Sequence, residues 1–330
     1  MGACMKTRTL GKTGFEVSEI GLGCWQLGND FGPVEDNEAI AILQTAVDEG
    51  IRFYDTADVY GGGLSEQRIG QWRKSLKKSP VIATKVGRSA ELYPNGYSKA
   101  AVKKSLQASA QRLGVESIDL AQLHCVPREV LFSGDILAWM EDLKTEGVIK
   151  HFGASVEMLD EAMFCCGHTE LASLQILFNV FRQDATESLL PLAEKNGVGI
   201  IVRLPLASGL LSGKMNLNHA FSERDHRSYN KDGAAFHVGE TFNGIPFEKG
   251  IELVEALKGK LPEGHNILDV SLRWILDQPQ VSSIIAGASR SSQVVRNAAV
   301  SSLPPLSKEL HTLLADFYRE EVREYIRGGI

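Results

Sequence analysis

What most constrains this chain is a repetition. Eight short apolar runs occur, and each is followed by a longer stretch whose apolar residues have helical spacing. The runs are Ser18–Cys24, Ile51–Asp55, Val81–Lys85, Ile118–His124, Ile149–Ser155, Leu174–Asn179, Gly199–Arg203 and Ser283–Gly287. The helical stretches lie near 36–49, 65–77, 98–113, 135–146, 156–165, 187–196, 266–277 and 290–300. Buried strands alternating with helices indicate a parallel sheet. Eight such units with no linker between them predict an α/β fold of the (β/α)8 TIM-barrel type, residues 1–330 forming a single domain. An open doubly wound sheet is the rival. Ahead of the repeat, Thr7–Leu10 and Phe15–Val17 flank Gly11-Lys-Thr-Gly14 and predict a small β-hairpin. Behind it, Lys308 to Ile326 predicts an extra C-terminal helix packed outside the barrel.

One connection is out of scale. From Pro205 to about Phe247 the pattern is irregular and rich in Gly, Asn, His and Ser. Loops of that length in compact domains are usually functional or disordered. A functional loop is favoured because it opens on Ala207-Ser-Gly-Leu-Leu-Ser-Gly-Lys214 at the end of the seventh run.

Composition narrows the partners. The 330 residues carry a formal net charge of −6 and are 43% hydrophobic, enough for a large core. Mild acidity argues against nucleic acid, which favours a concentrated basic patch. The pairs Lys77-Lys78 and Lys103-Lys104 fit solvated helix faces. The five cysteines show no zinc-type spacing, and an odd count fits free thiols in a reducing compartment. No apolar run approaches 18 residues, and Met1–Arg8 has no signal-peptide core. A cytoplasmic protein with no membrane partner is expected.

In a barrel of this type the site forms at the C-terminal ends of the strands. Three consecutive runs end there in ionisable residues: Asp55, Lys85 and His124. Each alone could be structural, as a loop cap, a rim ion pair or a hydrogen-bonded histidine. Together on neighbouring strands they can satisfy one another, which an unpaired buried charge cannot do cheaply. Tyr60 follows Asp55 on a loop holding Gly61, Gly62 and Gly63 and can turn back over the same rim. A lysine beside the phenol is expected to lower its pKa, Asp55 to keep Lys85 charged, and His124 to donate to a substrate oxygen. That set suits proton delivery to a carbonyl oxygen. No side-chain nucleophile with a base and no metal ligands are evident, so a hydride-donating cofactor would complete it. Two other readings are a nicotinamide-binding sensor with little turnover and a Schiff-base lyase using Lys85. Pairing with Asp55 argues against the lyase, since a charged amine is a poor nucleophile.

Two glycine motifs mislead. Gly21-Leu-Gly-Cys-Trp-Gln26 lacks the third glycine of a dinucleotide fingerprint, and Gly209-Leu-Leu-Ser-Gly-Lys-Met215 is one residue short of a phosphate loop. Neither a Rossmann fold nor a P-loop nucleotidase follows. The second stretch can still wrap a pyrophosphate through backbone N–H groups and Lys214. The eighth run offers a better anion site: Ala286-Gly287-Ala-Ser289-Arg290 runs straight into a helix start at Ser291. Gln293 and Asn297, four apart, share a face of that helix and could read an adenine edge.

These residues together resemble the aldo-keto reductase family over nearly the whole chain, closest to its bacterial-type branch. The motifs are Asp55-Thr-Ala-Asp-Val-Tyr60-Gly61 with Ser65-Glu66, Ala-Thr-Lys85, Gln-Leu-His124, Gly-Ala-Ser155, Pro205-Leu-Ala-Ser-Gly-Leu-Leu-Ser-Gly-Lys214 and Gly287-Ala-Ser289, in the family's order. The resemblance implies reversible, NADPH/NADP+-dependent reduction of a small-molecule aldehyde or ketone to an alcohol. It implies a tetrad of Asp55, Tyr60, Lys85 and His124 with Tyr60 as general acid. It places the nicotinamide amide near Ser155 and Gln175, and the pyrophosphate along Leu206, Ser208, Gly209 and Lys214. Ser289 and Arg290 would take the 2′-phosphate, Gln293 and Asn297 the adenine, and Cys24 and Trp25 the substrate mouth, with Gly287 also among the cofactor-binding residues. Trp139 and Phe132 are further apolar candidates for that mouth, or else core. Two positions depart from the pattern. Arg203 stands where many relatives stack a tyrosine on the nicotinamide, bringing positive charge beside a ring that is cationic when oxidised. Val156 stands where many carry an asparagine.

Overall fold

The computed structural model describes residues 5–223 and 225–330; Cys4 and the N-terminal segment Met1–Cys4 lie outside the described residues. Ten strands form. β1 (Thr7–Thr9) and β2 (Glu16–Ser18) pair antiparallel, Thr7 opposite Ser18, as the predicted hairpin. The other eight are β3 (Ile20–Gly23), β4 (Phe53–Asp55), β5 (Val81–Val86), β6 (Ile118–His124), β7 (Ile149–Ser155), β8 (Ser173–Leu177), β9 (Gly199–Arg203) and β10 (Val281–Gly287). All pair in parallel with their chain neighbours, and β10 closes on β3. The barrel is therefore closed, and the open-sheet rival is excluded.

Helices between the strands bury their apolar stripes on the outside of the barrel. Several starts and stops are written locally. Ser98 accepts from the Ala101 N–H at the start of helix Lys99–Leu113, and Gly114 ends that helix at φ 67. The helix expected near 156–165 begins at Leu159, because the Glu161 carboxylate takes the N–H groups of Glu157 and Met158. Helix Lys308–Phe317 follows the last strand, as expected, and continues in short turns to Tyr325.

The long connection is not structureless. It folds into short helical turns at Ala207–Ser212, His226–Tyr229, Val238–Glu240 and Phe242–Gly244, then runs into a 14-residue helix, Phe247–Lys260. That helix was absent from the sequence-based expectation.

Inside the barrel the period of two along each strand sorts side chains into layers. Near the N-terminal end, Phe53, Ala83, Leu120, Ile201 and Ile285 pack with Leu10 and Val17 of the hairpin as a plug. One step further along the same strands stand Asp55, Lys85, Gln122 and Arg203. No helix among the described residues is long and apolar enough to cross a membrane.

Candidate active site

The polar layer sits at the C-terminal mouth, and its members come from six strands. Asp55 ends β4, Lys85 and Gln122 face each other in the β5–β6 register, and Gln175 pairs with Ser155 across β7–β8. Asp55, Lys85, Gln122, Gln175 and Ser155 are all at most 1% exposed. Lys85 Nζ is ion-paired with Asp55 Oδ1 and donates to the Thr56 carbonyl at 3.0 Å and to Tyr60 Oη at 3.1 Å. Asp55 Oδ2 accepts from Gln122 Nε2 at 2.9 Å and Gln175 Nε2 at 2.8 Å. The carboxylate is thus saturated by an ammonium and two amides, which is what makes its burial tolerable. Gln175, expected at a nicotinamide amide, is committed on one side to Asp55 and accepts from Ser155 Oγ at 3.4 Å on the other. Gln122 was missed; its inward position two residues before His124 was the available signal.

Tyr60 reaches the lysine because the chain doubles back through Gly61, Gly62 and Gly63 at φ 60, 63 and 97. That left-handed run is cheap for glycine alone. At Gly61 a Cβ would also stand 2.3 Å from the Gly28 carbonyl oxygen. Trp25 stacks on the Tyr60 ring at 5.6 Å between centroids, and His124 meets it edge-on at 6.0 Å.

The electrostatics correct one expectation. Burial pushes the Tyr60 phenol up to about 12, and Lys85 pulls it back only in part, so the lysine does not bring it below its ordinary value. Burial opposes the Lys85 charge, yet Asp55 and Tyr60 outweigh it and the ammonium is held firmly. Burial, then the cations Lys85, Arg88 and Arg203, drive His124 well below the ordinary histidine range, so it is neutral. Its Nδ1 is buried with no hydrogen-bond partner among the described residues.

The layer opens into a cavity of about 830 Å³ that runs from Tyr60 and His124 past Ser155, Gln175 and Arg203 to Leu206, Ser208, Gly209 and Lys214. It continues to Gly287, Ser289, Gln293 and Asn297. All but Lys85 and Arg290 of the expected residues therefore border one cavity, and Lys85 lies beneath it, bonded to Tyr60. Some details differ. Cys24 touches the cavity, but its thiol is fully buried 3.6 Å from the Leu22 carbonyl, leaving Trp25 with Phe31, Tyr229 and Phe236 as the aromatic wall. Ser208 Oγ donates to the Glu240 carbonyl at 3.1 Å and accepts from Phe242 N–H, so it holds the long loop down. Gln293 Oε1 accepts from Ser289 N–H at 2.8 Å. Phe132 and Trp139 are not at the mouth: Phe132 stacks on Phe164 at 4.5 Å, and Trp139 packs on the outer core. Neither Lys214 nor Arg290 has an ion-pair partner among the described residues.

Two more ion pairs frame the rim. Arg203 is bound to Glu240 from the long loop, and Arg88 donates to Glu157 at 3.1 Å. Cys125, Glu157 and Glu240 bring one ligand atom each within 4.8 Å of one another. Both carboxylates are already held by guanidinium groups, which a metal ion would have to displace.

The sequence matches the Aldo/keto reductase family over residues 19–319. It is 29% identical over 324 residues to an uncharacterised oxidoreductase of Bacillus subtilis, covering 96% of this chain and 98% of that protein. It is 29% identical over 319 residues to L-galactose dehydrogenase of Arabidopsis thaliana, with 94% and 92% covered. An aldo-keto reductase from Bacillus halodurans in its holo form superposes with a TM-score of 0.76 at 27% identity, with 98% of this chain and 100% of that one covered. The match begins just before the first barrel strand and runs past the last, so this chain is an oxidoreductase-type barrel that belongs to the aldo/keto reductase family.

Proposed function

We propose that this chain interconverts a small-molecule aldehyde or ketone and its alcohol, using NADP(H), with Tyr60 as the proton donor and acceptor. The observation that carries this reading is the 3.1 Å contact from Lys85 Nζ to Tyr60 Oη at the floor of the cavity, backed by the Asp55 pair.

The cavity suits the cofactor. Its far arm carries Lys214, a cation with no ion-pair partner among the described residues, and Arg290 follows the cavity-lining Ser289; the turn beside Lys214 holds Ala207, Ser208 and Gly209 all at positive φ, a backbone shape that suits an anion such as a pyrophosphate. Gly287 leaves room that a larger residue would fill, since a Cβ there would meet the Gln26 side chain at 2.4 Å. Ser155 and Gln175 would hold the nicotinamide end, Leu206, Gly209 and Lys214 the pyrophosphate, Ser289 and Arg290 the 2′-phosphate, and Gln293 and Asn297 the adenine. When bound, the reduced nicotinamide supplies a hydride to the carbonyl carbon.

The protein's own residues handle the proton. A phenol held near pKa 12 keeps its proton throughout the neutral range, so it is ready to give it to a carbonyl oxygen that gains charge. Lys85 then stabilises the phenolate left behind, and Asp55 with its two amide donors keeps Lys85 charged and fixed. Neutral His124 donates to the same oxygen and orients it. The reverse direction needs the phenolate, so alcohol oxidation should rise with pH well into the alkaline range while carbonyl reduction stays level through neutrality.

Replacing Tyr60→Phe removes the proton and leaves the ring stacked on Trp25. Turnover of a simple aldehyde with NADPH is expected to fall on the order of 10² to 10⁴-fold, with NADPH binding by fluorescence unchanged. Parental turnover by that variant would overturn the assignment of the acid. Binding of NADPH without turnover of any member of a broad aldehyde, ketone and aldose panel would favour the sensor reading instead.

A further inference from the structure

We propose that Glu240 is the counter-charge that sets how this chain ranks the oxidised against the reduced nicotinamide cofactor, by cancelling the charge of Arg203. The inference rests on the cofactor reading above.

Arg203 is the inward-facing end of β9, opposite Leu177 of β8 in register. Its side chain is 9% exposed and that of Glu240 is 12% exposed. Nη2 donates to the Val156 carbonyl at 2.7 Å, and Nε is buried with no hydrogen-bond partner among the described residues. The neighbouring strand β8 carries Gln175, two residues before Leu177, and Gln175 pairs with Ser155 at the end of β7; these are the side chains assigned to the nicotinamide amide. A guanidinium therefore stands at the part of the cavity assigned to the redox-active ring.

Around the end of the cavity assigned to the ring, three carboxylates each hold one cation. Asp55 is bound to Lys85, Glu157 to Arg88 and Glu240 to Arg203. His124 is neutral, and burial pushes the Cys125 thiol up to about 12, so it too is uncharged. Removing Glu240 leaves Arg203 without its carboxylate, in surroundings to which the buried Arg182 already adds positive charge. Glu240 is also not free to drift, because its carbonyl accepts from Ser208 Oγ at 3.1 Å.

The oxidised nicotinamide ring carries a positive charge and the reduced ring is neutral. A fixed cation nearby therefore penalises only the oxidised form. Neutralised by Glu240, Arg203 presents a polar plane with little net field. At separations of about 5–10 Å and an effective dielectric near 20, an uncancelled unit charge changes the ratio of affinities on the order of tenfold or more.

The test is equilibrium binding on the full-length protein without substrate. NADP+ is followed by quenching of protein fluorescence and NADPH by its own emission. Glu240→Gln is expected to raise the ratio of Kd for NADP+ to Kd for NADPH about tenfold. The double variant Arg203→Gln/Glu240→Gln is expected to return that ratio to within about twofold of the parent, closing a double-mutant cycle. A loop merely loosened by the substitution would weaken both forms alike, and an unchanged ratio overturns the proposal. Should Glu240→Gln alone fail to fold, Arg203→Gln serves instead. The lone carboxylate then favours the oxidised form, so its ratio must fall below that of the double variant, and equality overturns the idea. Parental protein that takes up neither cofactor at millimolar concentration overturns the cofactor reading itself, a result distinct from binding with an invariant ratio.

Discussion

The two ends of the barrel interior are built by the same strands and differ by one inward step. On β4 the step goes from Phe53 to Asp55, on β5 from Ala83 to Lys85, on β6 from Leu120 to Gln122, and on β9 from Ile201 to Arg203. The lower layer joins Leu10 and Val17 of the hairpin in a dry plug. The upper layer is buried too but holds an ammonium, a guanidinium, a carboxylate and, in Gln122 and Gln175, two amides. Burial alone therefore does not separate structure from chemistry here. What differs is the cost: the lower layer gains from leaving water, whereas the upper one offsets a desolvation penalty with hydrogen bonds. The hairpin seals one end so that the other can remain open to ligands.

If the two layers are independent, damage to the lower one should cost stability and leave the chemistry alone. Phe53→Ala empties part of the plug and is expected to lower unfolding stability by about 3–5 kcal/mol in denaturant titration. The turnover of the fraction that stays folded should be unchanged within about twofold. A large loss of turnover at 25 °C would show that the plug positions Asp55, and the comparison would fail.

The polar end also carries a penalty that can be measured by pH. Asp58, two residues before Tyr60, is buried, and burial followed by the nearby Glu66 carboxylate pushes it up to about 7. Ser105 Oγ donates to its Oδ2 at 3.1 Å, Oδ1 has no hydrogen-bond partner among the described residues, and Arg112 and Tyr97 also feel its charge. The sign follows from linkage. The folded state keeps this proton up to about pH 7, the unfolded chain releases it near the ordinary carboxylate range, and so the group costs stability as pH rises between the two. Asp58→Asn removes the ionisation, and it is expected to stabilise the protein by about 2 kcal/mol at pH 8 and hardly at all at pH 4. Equal effects at both values would sink that account.

How much of this was legible in the sequence follows from the range of the signals. Strand β6 and β7 boundaries are the ones the apolar runs gave, because each run ends in a polar residue with a role at the rim. The helix Phe247–Lys260 was missed although Ile251, Val254 and Leu257 recur at three-residue spacing after Pro246. The irregular segment before it carries no periodic pattern that would mark its start. The joint placement of Asp55, Tyr60, Lys85 and His124 was legible because period-two alternation and the barrel rule fix the mouth without coordinates. The partner of Arg203 was not legible, since Glu240 arrives from a loop 37 residues along whose path no local pattern encodes. The height of the Tyr60 pKa was equally hidden: a neighbour list shows Lys85, but only the closed cavity shows how much water is excluded.

Gln122 offers the sharpest test of what separates the layers, because replacing it by an apolar residue turns a piece of the upper layer into the lower kind. Gln122→Leu keeps the volume close and removes one donor to Asp55. A hydrogen bond to a charged group contributes about 1.5–3 kcal/mol. Much of that is recovered in stability, since the buried amide no longer needs partners and Gln175 and Lys85 still hold the carboxylate. The catalytic effect has no such recovery. With fewer donors, Asp55 carries more of its charge towards Lys85, the lysine field at Tyr60 is more fully cancelled, and the phenol becomes harder to ionise. Turnover in the alcohol-oxidising direction is expected to fall about tenfold, at the lower end of that hydrogen-bond range, with its alkaline rise moved to higher pH and unfolding stability unchanged or slightly raised. A variant that instead loses stability while keeping its pH profile would mean that Gln122 packs the barrel and does not tune the tyrosine.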